Sequence, residues 1–578
     1  MQLITMKGSW IIEKLDRKSP ISNKAGLGRR RESMRVKVPP TTPTSTRALL
    51  LCMIAAFALC AGVYLRTIRS TPEVAAGFLG DPPSGPEKYQ QAGTGKYQEW
   101  FVTPGGKPGG SGTRNAPWDL KTALDEKAVR DRVKPGDTIW LADGVYNGAF
   151  ESTIRGSEAA PVQIRAIAGA RVVLDKNMAA RETGTLNVRG PFVWFRDLEI
   201  TNSFPNRNRL DADGELNPWR GSGVNVYAAN TKYIDLVIHD NGHGFGLWNE
   251  EGSTEIYGCI VFNNGNNKKE HGIYGHNKTG THFILDNVIF NSAGYGLHLY
   301  ANSTKSGISG FDIEGNAIFN NGALTLDDQV ADQVLVGGVE GVPAERITLR
   351  QNYIYNEISA PINKNRGIRL GYEDKHNRDV SLIGNYIVSK VPLKILWWNS
   401  VTARDNTIYS TGNNVEVETS DGQSVAGYEF DSNAYIPAAG NSASFMINDQ
   451  KTNIDLWRFR FESDGTNVKA DSRSERTQIF IRPNKYEEGR ANIIIYDWNH
   501  DANVLVDLSS VLKRGDKYEL IDVQDYFGQP VFTGNYDGKL IAVPMRSTST
   551  TKPIGSVERV PPHTDATFAV FIVRRTQK

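Results

Sequence analysis

Apolar residues along most of this chain alternate with polar ones over runs of three to five positions, and each run ends at Gly, Asn or Asp. That period of two predicts short half-buried strands separated by turns. One phrase recurs in this pattern. It reads Asn287-Val-Ile-Phe-Asn291, Asn316-Ala-Ile-Phe-Asn320, Asn352-Tyr-Ile-Tyr-Asn356, Asn385-Tyr-Ile-Val-Ser389 and Asn406-Thr-Ile-Tyr-Ser410. Looser copies precede it at Leu198, Leu236 and Cys259, and the copies follow one another at intervals of roughly 21 to 38 residues. A second element, led by glycine, accompanies the phrase: Gly223-Val-Asn-Val-Tyr227, Gly244-Phe-Gly-Leu-Trp248, Gly272-Ile-Tyr-Gly-His276, Gly296-Leu-His-Leu-Tyr300 and Gly367-Ile-Arg-Leu-Gly371. Two or three short strands per repeat predict one coil of a stacked parallel β-solenoid, whose coils lie about 4.8 Å apart.

The stack is expected to occupy residues 95–475, with the clearest repeats at 184–412. Leu120 to Val133 has helical spacing and predicts a helix capping the open N-terminal end. Trp457-Arg-Phe-Arg-Phe reads as a last irregular turn. From Gln478 the strands lengthen and look antiparallel, which predicts a β-sandwich-like accessory domain over 476–578. The 56 glycines suit such a turn-rich all-β chain.

Charge changes the picture at the N-terminus. Residues 1–47 hold eleven Lys and Arg against three Asp and Glu, although the whole chain carries only +2. The body is therefore mildly acidic, which argues against a general nucleic-acid surface. Ala48 to Leu65 is an unbroken apolar run, just long enough to span a bilayer. With the basic excess upstream, it predicts a signal anchor with the body exported to the periplasmic or extracellular side; a signal peptide, or a start at Met34, is the alternative. Residues 66–94, rich in Pro, Gly and charge, read as a linker. Three cysteines allow no disulfide framework. A monomer is expected.

The opening Pro135-Gly-Asp-Thr-Ile-Trp-Leu-Ala-Asp-Gly-Val-Tyr146, together with the repeats, resembles the right-handed parallel β-helix proteins of the pectate-lyase-like superfamily, and its first coils are similar to the chondroitinase B and alginate lyase branch. The tail from 478 resembles accessory β-domains of glycan-active enzymes. The resemblance implies the fold. The superfamily holds lyases, hydrolases, epimerases, esterases and adhesins, so it does not choose an activity.

The Asn phrase reads as scaffold, each amide satisfying buried backbone groups of its neighbours. The glycine-led strands carry the candidate chemistry. Alternation sends Val224, Phe245, Ile273, Leu297 and Ile368 inward. It leaves Asn225, Gly246, Tyr274, His298 and Arg369 in one outward column, and Tyr227, Trp248, His276 and Tyr300 in the next. Aromatic faces stack on sugar rings, and imidazole with guanidinium serves acid–base work and carboxylate binding. Six of nine histidines fall between 239 and 298: His239, His243, His271, His276, His282 and His298. They read equally as turn and surface residues.

These residues suit β-elimination or C5 epimerisation of a uronate polysaccharide. Arg369 would hold the carboxylate, His298 or His271 would be the base, and Tyr274 or Tyr300 the acid. Such a site should bring His298, Arg369 and a tyrosine within about 5 Å of one another. Asn225, Tyr227, Trp248, His276 and Tyr300 would line the groove, with Glu250 and Glu373 at its rim. Glu250, Glu251, Asp327, Asp328, Asp332, Glu373 and Asp374 keep a glycoside hydrolase open, since hydrolysis needs two carboxyl groups. A non-catalytic glycan-binding surface protein is the third reading. No cofactor is called for, and no zinc ligand set closes. The Arg-x-Pro-x-x-Arg motif of pectate lyases is absent, and no full carboxylate set for calcium can be placed. Calcium is retained only for Asp211-Ala-Asp-Gly-Glu215, where Arg209 occupies a position at which a calcium loop needs a carboxylate. The segment 204–220 reads as an insertion walling the groove.

Overall fold

The computed structural model describes residues 97–576, apart from 211–215, 219, 326–330, 357–365, 421–423, 439–441, 463–466, 469–476, 558 and 565. The chain winds as a right-handed parallel β-helix. Three sheets of twelve strands each run the length of the stack, and every coil contributes one strand to each sheet in turn. One coil shows the plan. Thr231–Ile234 lies in the first sheet, Val237–His239 in the second and Phe245–Leu247 in the third. The next coil returns with Thr254–Tyr257, paired in parallel with Thr231–Ile234.

The turn between the first and second sheets explains the Asn phrase. The residue before each phrase has a positive φ: Asp197, Asp235, Gly258, Asp286, Gly315, Gln351, Gly384, Asp405 and Ser432. Gly, Asp and Asn enter this left-handed region at least cost, which accounts for most of the choices. The Asn that follows points inward and joins a ladder. Asn287 donates both its backbone N–H and its Nδ2 to Asn316 Oδ1, and the same pair of bonds runs from Asn316 to Asn352, Asn385, Asn406 and Asn433. Each remaining amide proton reaches a carbonyl of the preceding coil, as from Asn352 to Ile313. A turn buried inside the stack thus leaves no orphaned backbone group at these positions. Before the ladder starts, Leu198, Leu236 and Cys259 fill the same column as buried apolar side chains.

Both ends of the stack are covered by helices. At the N-terminal end the predicted single helix is two short ones, Leu120–Leu124 and Glu126–Val129. Asp125 separates them: it is extended (φ −90°, ψ 107°), and its side chain accepts from the Lys127 N–H to cap the second. At the C-terminal end the stretch read as an irregular turn is a helix, Ile454–Phe461, capped by Asn453. Its Trp457 stacks on Phe445 and is fully buried, closing the core.

The second sheet has no free outer face over its middle. Phe262, Phe290 and Phe319 stack there with ring centroids 5.1 and 4.9 Å apart. The C-terminal domain lies over them. It is a five-stranded antiparallel sheet in the order Gln478–Pro483, Arg490–Tyr496, Phe568–Arg575, Lys517–Asp522, Phe532–Asn535, with a separate pair Asn503–Val506 and Ile541–Pro544. Alternation divides its sides. Ile494, Tyr496, Val570 and Ile572 pack on the β-helix, whereas Ile493, Ile495, Phe571 and Val573 pack on Val504, Val506 and Met545. The accessory domain therefore covers the second sheet, and the outward side chains of the third sheet carry the candidate site.

The apolar run Ala48–Leu65 and the basic segment before it lie outside the described residues. Among the described residues no helix is long and apolar enough to cross a membrane.

Candidate functional site

Register within the third sheet sets the groove. Asn225, Gly246, Tyr274, His298, Leu335, Arg369 and Lys394 are successive partners on adjacent strands. Two positions further along each strand come Tyr227, Trp248, His276, Tyr300 and Gly337. A third column, three positions before the first, holds Ser222, His243, His271, Tyr295, Asp332 and Arg366; the sequence picks out His243, His271 and Asp332 singly but not their alignment. The glycine N–H groups of one coil bond the carbonyls of this column in the next, as from Gly244 to His271 and from Gly272 to Tyr295. The usable signal was the residue just before each glycine, which is polar or aromatic throughout this run.

Four of the six clustered histidines lie in the groove. The other two do not. His282 is buried in the first sheet with neither ring nitrogen bonded. His239 lies in the second sheet between Glu199 and Asp240, with Phe527 of the C-terminal domain against its ring. Its charge is stabilised there despite burial, and its pKa is pushed up to about 9.

His243, His271 and His298 form a connected series. The His271 backbone N–H donates to His243 Nδ1 at 3.0 Å, and the Tyr295 N–H donates to His271 Nδ1 at 3.1 Å. An Nδ1 that accepts a backbone proton carries none, so the neutral ring holds its proton on Nε2. His271 Nε2 therefore donates to His298 Nδ1, 2.8 Å away. His298 is in turn left with its proton on Nε2. Burial drives all three rings toward the neutral form: His243 to about 4, His298 to about 3 and His271 well below the usual value.

Tyrosines surround this series. His298 has Tyr295 at 4.5 Å, Tyr300 at 4.9 Å and Tyr274 at 5.3 Å between ring centroids. Burial keeps the phenols protonated, Tyr274 and Tyr295 being pushed up to about 12. Trp248 lies over its own strand, its indole 2.5 Å from where a Cβ on Gly246 would stand, so only glycine fits there. Asn225 is itself buried and accepts the indole N–H at 2.7 Å while donating to Asn187. It positions Trp248 rather than presenting its own amide. Tyr227 stands at the N-terminal end of the groove with the Arg189 guanidinium 4.3 Å over its ring.

Arg369 does not join His298 in the arrangement the sequence predicts. The rung of the buried Leu335 stands between them, so their strands are about 10 Å apart. The gap is bridged by aromatics, with Tyr300 against Tyr372 at 5.1 Å and the Arg369 guanidinium 5.0 Å over the Tyr372 ring. The expected convergence holds for His298 and its tyrosines; Arg369 forms a neighbouring cationic position. Its Nε is buried and unbonded. Asp332, one column over, is fully buried and ion-paired with Arg366 at 2.7 Å. Glu250 lies 3.0 Å from His276, and Glu373 is exposed at the rim beyond Tyr372.

The insertion holds a hairpin of Asn208–Leu210 with Leu216–Pro218. Its base is fixed by Arg207 on Asp240 and by Arg220 on the Asp240 carbonyl. The stretch 211–215, where calcium was considered, lies outside the described residues, as do Asp327 and Asp328. Among the described residues one group of three carboxylates draws together, Asp197, Asp235 and Glu487, at the junction with the C-terminal domain. Arg165 pairs with Asp197 at 3.0 Å and Arg490 approaches Asp235 at 3.6 Å, so the cluster is already matched by guanidinium groups and does not suit a calcium ion.

No protein-family model and no curated protein matches this chain. Among solved structures, pectate lyase Pel9A is similar at 18% identity over 66% of this chain and 82% of its own, with a TM-score of 0.38. The GH136 lacto-N-biosidase from Eubacterium ramulus is similar at 12% identity over 65% and 67%, with a TM-score of 0.39. A rhamnogalacturonan lyase is similar at 14% identity over 58% and 87%, with a TM-score of 0.37.

Proposed function

We propose that this protein is an exported carbohydrate-active enzyme acting on a uronate-containing polysaccharide by abstraction of the C5 proton, as a lyase or a C5-epimerase. The observation that carries this reading is the neutral histidine series, ringed by protonated tyrosines and followed along the same groove by Arg369. Removing a proton beside a carboxylate needs uncharged bases and donors at the reacting carbon and a fixed cation for the polyanion. His271 has both ring nitrogens engaged, so its role is to position His298. Arg369, about 10 Å along the groove, fits the carboxylate of a neighbouring sugar rather than that of the reacting one.

Hydrolysis is less well supported. Glu250 and Asp332 stand three rungs apart, about 14 Å, beyond the roughly 6.5–9.5 Å that an inverting pair spans. Glu373 lies one rung further from Glu250. In this reading Ala48–Leu65 anchors the exported body and the basic N-terminus stays cytoplasmic; protease added to intact cells should then remove the body.

The test is to incubate the full-length chain with a panel of uronate and neutral polysaccharides, following absorbance near 232 nm, C5 proton exchange and reducing ends. New absorbance on a uronate polymer is the result expected of a lyase, and exchange alone that of an epimerase. Reducing ends without absorbance mean hydrolysis. Binding without any turnover makes this a glycan-binding protein and overturns the proposal.

A further inference from the structure

His276 and His298 present opposite ring nitrogens to the groove. His298 has its Nδ1 occupied by the proton of His271, so it offers an N–H on Nε2. His276 sits one rung away in the adjacent column, and its Nδ1 lies 3.0 Å from Glu250 Oε1. A carboxylate oxygen has only lone pairs to offer, so a proton on the facing ring nitrogen is favoured over a second lone pair there. The two atoms are in ion-pair contact without a hydrogen bond: His276 Nδ1 and Glu250 Oε2 are both buried with no hydrogen-bond partner, and what sets the proton on Nδ1 is the repulsion that a bare lone pair there would meet from the carboxylate. His276 Nε2 is consequently a bare lone pair, with no partner among the described residues. Trp248 and Tyr274 flank the ring at 5.6 and 6.3 Å between centroids.

We propose, resting on the uronate reading above, that His276 is the proton-accepting base, with Glu250 as its positioning residue and His298 as an N–H donor to the substrate carboxylate. His276 Nε2 takes the C5 proton. The electron pair of the broken C–H bond moves into the carboxylate, whose oxygen accepts the Nε2–H of His298 as charge builds on it. That pair then returns to form the C4–C5 double bond and expels the C4 oxygen. Tyr300, next to His276 in its column and stacked on His298, gives the departing oxygen its proton. The phenolate recovers a proton from the His276 imidazolium, which restores both groups. Burial and Lys278 lower the His276 pKa against the opposing pull of Glu250, and burial raises that of Tyr300, so the resting forms are the ones required.

One test needs no substrate. In the full-length chain labelled with ¹⁵N-histidine, the nitrogen shifts report which ring atom is protonated. His276 should carry its proton on Nδ1, and His243, His271 and His298 on Nε2, with assignments made from single His→Gln variants. Glu250→Gln should shift His276 toward the other tautomer and leave His298 unmoved. A wild-type His276 protonated on Nε2 overturns the assignment whatever the substrate proves to be. In turnover, His276→Gln should lower kcat about 10²- to 10⁴-fold for both exchange and elimination. His298→Gln, which keeps an N–H, should retain more activity than His298→Phe. Undiminished turnover by His276→Gln removes the base from His276 while leaving the uronate reading intact. No turnover by the wild type on any uronate polymer removes that reading, and this one with it.

Discussion

His271 gives its Nε2 proton to His298 across 2.8 Å, while its own Nδ1 holds the Tyr295 backbone N–H. A second proton on either ring would set two N–H groups against each other, which is the local reason, beyond burial, that both rings stay neutral. Folding therefore lowers these pKa values below that of an unfolded histidine, near 6.5. The unfolded chain binds more protons than the folded one as pH falls below about 6.5, so acid removes stability until the folded rings titrate, for His298 at about 3. Glu270, pushed up to about 7 by burial, acts in the opposite direction, so the informative quantity is a difference between variants. Urea unfolding between pH 6.5 and 4 should show a pH slope shallower by up to about 1.4 kcal/mol per unit in His298→Asn than in the wild type. Equal slopes would contradict the neutral series.

Arg369 has a buried, unbonded Nε and a guanidinium held over Tyr372. Arg369→Ala should raise KM for a uronate polymer about 10- to 100-fold, in line with loss of a charge-assisted hydrogen bond of about 1.5–3 kcal/mol. Binding of the carboxyl-reduced polymer should change little. Equal losses on both would show that Arg369 acts through packing.

Trp248 depends on Asn225 for its orientation. Trp248→Ala should weaken polysaccharide binding about two- to tenfold, consistent with roughly 0.5–1.5 kcal/mol for stacking beyond buried area. Asn225→Leu should cause a smaller loss in the same direction, although its own amide does not face the groove. Affinity electrophoresis would measure both, and an unaffected Asn225→Leu would separate the two residues.

Asn352 sits mid-ladder, with Asn316 above it and Asn385 below. Asn352→Ala leaves the Asn316 N–H and amide facing a void inside the stack. Each orphaned group costs about 1–3 kcal/mol, so a loss near 3 kcal/mol is expected in urea unfolding. Asn433, the last member, receives bonds from Asn406 and donates to the Ala403 carbonyl but to no further Asn among the described residues, so Asn433→Ala should cost less.

Sequence by itself determined the scaffold. The Asn phrase and glycine-led strands repeat because every coil meets the same neighbours above and below, so local pattern and tertiary contact coincide in a solenoid. The same alternation placed Tyr274, His298 and Tyr300 on one outward face. Where contacts join parts distant in sequence, the pattern was silent. Only tertiary structure put Leu335 between His298 and Arg369, because a count of glycine-led strands skips Val334–Gly338, which follows Gln333 instead of a glycine and which the sequence does not mark. It alone buried Asn225 beneath Trp248, sent His239 under the C-terminal domain, and brought Glu250 to His276. Ring protonation was the least legible property. It depends on which nitrogen meets a backbone N–H or a carboxylate, a matter of a few ångströms between adjacent coils that no spacing along the chain records.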